Sequence, residues 1–125
     1  EKEYSSLCYR IDSQTKNAYE IPTILMIRYN QRDSLIHTKA IRGPYDPNTW
    51  LNYVANMREE TMSSLRAISE VRVDERSAEL LINFGESKAP WLKLKFKELY
   101  LAKIWRVLIQ GILADEEYLR ITRGL

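Results

Sequence analysis

The chain has 125 residues, 45% of them hydrophobic and 29% charged. That balance supplies one core and excludes a disordered, collagen-like or low-complexity chain. Its net charge of +2 gives no global field that would draw polyanions, so any basic binding site must be a local patch.

Taken in order, Tyr4–Ile11 mixes aromatic and β-branched residues with polar ones and meets the turn-forming run Asp12 to Asn17, which predicts a strand and a turn. Thr23–Asn30 follows Pro22, a residue suited to a strand start or an edge, and reads as a second strand. Leu35–Ile41 alternates, with Leu35, His37, Lys39 and Ile41 on one face and Ile36, Thr38 and Ala40 on the other. The three segments predict an antiparallel meander.

Arg42 to Asn48 is broken by Gly43, Pro44 and Pro47, after which Trp50, Val54, Met57, Thr61, Leu65 and Ile68 repeat at steps of four and three. This spacing predicts a helix from about Pro47 to Ser69. Val71, Val73 and Ala78–Phe84 flank Asp74-Glu75-Arg76-Ser77 and predict a hairpin on their Leu, Ile and Phe content. A short helix capped by Asp74 and Gly85 is the competing reading.

Pro90–Leu113 reads as the organising helix, with Leu94, Leu101, Ile104, Trp105, Leu108 and Ile112 on its apolar face and Lys95, Lys103, Arg106 and Gln110 opposite. Its start also fits a strand, because Leu92, Leu94 and Phe96 alternate with lysines. Gly111 weakens this helix by about 1 kcal/mol relative to alanine and marks either a close contact or an early end. Asp115-Glu116-Glu117 would open a short terminal helix.

The expected fold is therefore α+β: an antiparallel sheet of a three-strand meander plus a hairpin, with two long helices on one face, in the order βββ-α-ββ-α. Residues 1–125 are expected to form a single domain excised from a longer protein, since the chain begins at Glu1 without a signal sequence. The longest aliphatic run, Ile24 to Ile27, is far short of the roughly 20 residues that a membrane helix requires. The single cysteine, Cys8, excludes an internal disulfide and fits a reducing intracellular setting, cytoplasm or nucleus.

Catalytic chemistry finds few materials. His37 is the only histidine, there is no GxSxG turn, and a Cys8–His37 dyad would rest on composition alone. The adjacent acids Glu59-Glu60 and Asp115-Glu116-Glu117 diverge by about 100° per residue on a helix and read as solvated faces or caps. No metal-ligand spacing and no glycine-rich phosphate loop occurs, so neither cofactor nor metal nor small-molecule substrate is expected.

Two basic and aromatic groups remain. One is Lys88, Lys93, Lys95, Lys97 and Lys103 around Trp91; the other is Arg28, Arg32, Lys39 and Arg42 with Tyr29 and Tyr45. Such surfaces suit either a protein partner or single-stranded nucleic acid. The expected function is a non-enzymatic protein–protein interaction or assembly domain, its partner another protein or a second copy, with no membrane role. A nucleic-acid-binding module is the alternative, and an enzyme with an unrecognised site comes third. The residues expected to carry partner or nucleic-acid binding are Arg28, Tyr29, Lys39, Arg42, Tyr45, Trp91, Lys93 and Lys97.

Overall fold

Alternation of apolar and polar residues, with a period of two, governs more of this chain than helical spacing does. The structure is a computed structural model that describes residues 2–12, 19–29, 34–40, 58–85 and 91–123. Its elements are β1 (Lys2–Asp12), β2 (Tyr19–Tyr29), β3 (Ser34–Ala40), β4 (Arg58–Ser64), β5 (Glu70–Asp74), β6 (Glu79–Asn83), β7 (Leu92–Lys95) and the helix α1 (Leu99–Arg123). A single 3-10 turn, Leu65–Ala67, follows β4.

The strands form one seven-stranded sheet in the order β4-β3-β2-β1-β7-β6-β5, and every ladder is antiparallel. It consists of two meanders, β1–β4 and β5–β7. Their only shared ladder among the described residues is β1 with β7, at Tyr9↔Lys95 and Arg10↔Leu94. Pro22 is tolerated in β2 because the described β2–β3 ladder ends one residue away, at Thr23↔Ala40. The β5–β6 turn ends at Ala78, whose φ of +54° is left-handed, and the Ala78 carbonyl accepts a hydrogen bond from the Phe96 amide.

The inner face of this sheet carries one core. Cys8, Leu25, Ile27 and Ile36 from the first meander meet Val71, Leu80, Ile82 and Leu94 from the second, and Ala102, Trp105, Ile109 and Ile112 of α1 close over them. Ile24 and Met26, on the opposite side of β2, are buried as well. The far end of α1 is tied down by Glu116: Ser34 Oγ donates to one carboxylate oxygen and Arg66 Nε to the other, the latter at 3.2 Å. Ser34 is buried, so this acceptor satisfies a hydroxyl that water does not reach.

The arrangement overturns the expected order βββ-α-ββ-α with two long helices. One helix is present among the described residues, and the sheet has seven strands. Of the helix read over Pro47 to Ser69, residues 47–57 lie outside the described residues, and the remainder is β4 and the 3-10 turn. The stripe was weakest there, with Thr61 standing where a large apolar residue is wanted. The charged Arg58-Glu59-Glu60 suits an edge strand that needs only the β3 ladder.

The second helix begins not at Pro90 but at Leu99, because the Leu/Lys alternation of 92–95 makes β7, which is paired on both sides. Asp115-Glu116-Glu117 opens no new helix, since α1 runs through it. The competing helix over 74–84 is absent; these residues form a turn and β6.

Truncating the inner face of α1 should cost about 2–5 kcal/mol for Ile109→Ala and about 3–5 kcal/mol for Trp105→Ala, as read from denaturant unfolding; a near-neutral result at either position would contradict this packing. Glu116→Ala deprives the buried Ser34 hydroxyl of its acceptor and should cost about 1–3 kcal/mol, with Glu116→Gln milder because an amide oxygen still accepts. Unchanged stability in Glu116→Ala would show that the helix end is held otherwise.

Candidate functional site

The residues singled out from sequence do not assemble into one surface. Arg28 and Tyr29 are neighbours in β2 and therefore point to opposite faces. Arg28 is exposed on the outer side and pairs at 3.5 Å with Glu3, its cross-strand partner, whereas Tyr29 packs against the core. Lys39 is paired in backbone register with Ile24, and Arg42 and Tyr45 lie outside the described residues, as do Arg32 and Lys88. Lys97 is exposed in the link between β7 and α1.

Trp91 and Lys93 do come together, on the outer side of the second meander rather than at a helix N-terminus. Register places Arg72, Leu81 and Lys93 in one row across β5, β6 and β7, and the Arg72 guanidinium lies over the Trp91 ring at 5.4 Å. Sequence reasoning missed Arg72 because its row exists only once the strands are paired. The cations of this surface are balanced by acids on the same side. Arg72 pairs with Glu70, and Lys95 donates to Glu20 at 2.9 Å, a hydrogen bond that raises the Lys95 pKa. Glu79 is the cross-strand partner of Lys95. A basic groove that tracks a phosphate backbone requires an excess of positive charge, which the described residues around Trp91 lack.

The outer face of α1 is different in kind. Its inward side centres on Ala102, Trp105, Ile109 and Ile112, with Leu101 and Leu108 packed beside them; of the expected apolar face within the helix only Ile104 departs, the inward side being turned slightly away from it. That rotation carries Ile104 to the outside. Tyr100, Ile104 and Val107 are 60%, 55% and 63% exposed, and Gly111 and Ala114 continue the same line in the next turns. The five positions advance by four, three, four and three residues, a straight stripe on one helix face. The expected polar face is displaced to the flanks, where Lys103 and Arg106 are half-buried and Lys103 reaches Glu75 at 3.2 Å. Gly111 is neither an early end nor an internal close contact: a Cβ built there meets nothing within 4 Å.

Sequence reasoning missed Tyr100, Val107 and Ala114. The signal was present in the heptad spacing 100-104-107-111-114, which runs beside the inner stripe on a helix apolar on two sides.

No histidine–cysteine chemistry is assembled. Cys8 is buried in the core, while His37 pairs with Met26 on the other side of the sheet. Among the described residues no three His, Cys, Asp or Glu side chains are grouped as a metal ion would need, and no helix is long and apolar enough to cross a membrane. Comparison with known protein families, with curated proteins and with solved structures finds no match for this chain.

Burial pushes the Cys8 thiol up to about 12, only partly offset by a backbone hydrogen bond with Leu25. The thiol is therefore protonated and unreactive in the fold. Because the folded value lies above the ordinary 9.0, the stability it supports is complete below pH 9 and falls as pH rises toward 12. Iodoacetamide at pH 8 should leave the native chain unmodified and label Cys8 only after unfolding; rapid labelling of native protein would contradict its burial.

Proposed function

We propose that this chain is a non-enzymatic protein–protein interaction domain that receives its partner on the outer face of α1. The observation carrying this reading is the exposure of Tyr100, Ile104 and Val107 on a surface helix whose other face is already spent in the core. Helices at a protein surface ordinarily turn charged or polar residues outward, and a contiguous apolar stripe there is a recurrent mark of a binding face. Large apolar side chains aligned at helical spacing engage another polypeptide through pockets and ridges, not through charge.

The nucleic-acid alternative has less support. Of its candidate residues, Trp91 and Lys93 share the outer sheet face with Arg72 and Lys95 and with Glu20, Glu70 and Glu79, so the field there is largely cancelled.

A photo-crosslinking amino acid placed at Val107 tests the reading, with the same group at Arg28 on the sheet as comparison. Irradiation in cells is expected to give a polypeptide adduct from position 107 and none from 28. No adduct at 107, or adducts from the sheet position alone, would remove the proposal. Binding of a single-stranded oligonucleotide that weakens steeply with salt would favour the alternative instead.

A further inference from the structure

We propose that the partner of this stripe is a second copy of the chain, with two α1 helices packed antiparallel about a two-fold axis near Gln110. This rests on the reading of the outer face of α1 as a protein-binding surface, and three features of that face select the occupant.

The first is its gradient of size. As far as Ala114 the stripe passes from large, Tyr100, Ile104 and Val107, to small, Gly111 and Ala114, before Tyr118 and Ile121 continue the spacing in the sequence. An antiparallel pair sets large against small twice over: Ile104 against the partner's Ala114, and Val107 against the partner's Gly111. A parallel pair would stack Ile104 on Ile104 and leave Gly111 facing Gly111 across a gap. Self-complementarity of this kind is what a two-fold interface requires.

The second is Gly111 itself. An exposed glycine in mid-helix is unfavourable relative to alanine, and among the described residues nothing occupies the space a Cβ would take. A close approach from outside gives it a role, because removal of the side chain lets a facing helix bring Val107 into contact.

The third is charge. Lys103 and Arg106 lie in the N-terminal half of α1 and Asp115 and Glu117 in the C-terminal half, where Arg120 and Arg123 follow in the sequence and Glu116 is turned inward to Ser34 and Arg66. Antiparallel pairing sets Lys103 beside the partner's Glu117 and Gln110 beside the partner's Gln110; parallel pairing brings like residues to the same level. Lys103 also reaches Glu75 within its own chain, so this pair orients the helices more than it holds them.

The stripe extends for about 21 Å along the helix axis. A contact of that length lies toward the low end of specific interfaces, and a dissociation constant on the order of micromolar is expected.

Sedimentation velocity of the chain over a wide concentration series tests the proposal, with circular dichroism to verify folding of each variant. A monomer–dimer equilibrium is expected, weakened at least about tenfold by Val107→Asp and by Gly111→Leu. The latter variant keeps its fold, since its new side chain meets open space in the monomer. Oxidation of mixed single-cysteine variants reads the orientation: Ile104→Cys should cross-link to Ala114→Cys and not to itself. A strict monomer at high concentration, a dimer indifferent to both substitutions, or homotypic Ile104→Cys cross-links would overturn it. The Val107 photo-adduct separates the two levels: an adduct with a different protein from a monomeric chain overturns self-pairing and leaves the binding face, whereas no adduct overturns both.

Discussion

One core shared by two meanders is the constraint on which this structure depends. The meanders touch through a ladder with two registered residue pairs, Tyr9↔Lys95 and Arg10↔Leu94, which alone would leave a weak seam in the sheet. The inner face of α1 bridges the seam. Trp105, Ile109 and Ile112 sit in a cluster that includes Leu25 and Ile27 from one meander and Leu80 and Ile82 from the other, so neither half buries its apolar side fully without the helix. Glu116 then fastens the helix to Ser34 and Arg66, on the first meander and the turn that follows it.

That requirement fixes the rotation of α1, and the rotation decides what is left outside. The helix is apolar over more than one face, so an inward set centred on Ile109 leaves Tyr100, Ile104 and Val107 facing away from the sheet. The surplus is not absorbed by the described residues. It leaves the helix with two apolar faces: an inner one that the fold depends on, and an outer one that stands exposed. On the outer side of the sheet, by contrast, Glu3, Glu20 and Glu70 pair with Arg28, Lys95 and Arg72.

Local pattern revealed the strands better than the helices. Alternation at Leu35–Ala40 and at Leu92–Phe96 is a property of a few consecutive residues and survives in the structure as β3 and β7. The helix read over Pro47 to Ser69 failed in its described part because its stripe continued through Thr61 and because the ladder with β3, formed between residues far apart in sequence, outweighed local preference. On α1 the expected apolar face holds at Trp105 and Ile112, with Leu101 and Leu108 beside them, and fails at Ile104, because periodicity on a helix with apolar residues on two sides does not fix the edge of the buried face. Trp91 stands out in the sequence among its lysines, yet its companion Arg72 becomes its neighbour only through strand pairing.

The central claim is that α1 has two apolar faces with separate roles. Its most direct test is a dilution series of amide NMR spectra of the chain. The account predicts concentration-dependent shifts at Tyr100, Ile104, Val107, Gly111 and Ala114, with Ala102 and Ile109 unmoved. Shifts confined to the outer sheet residues Arg72 and Lys93, or spectra independent of concentration throughout, would contradict it.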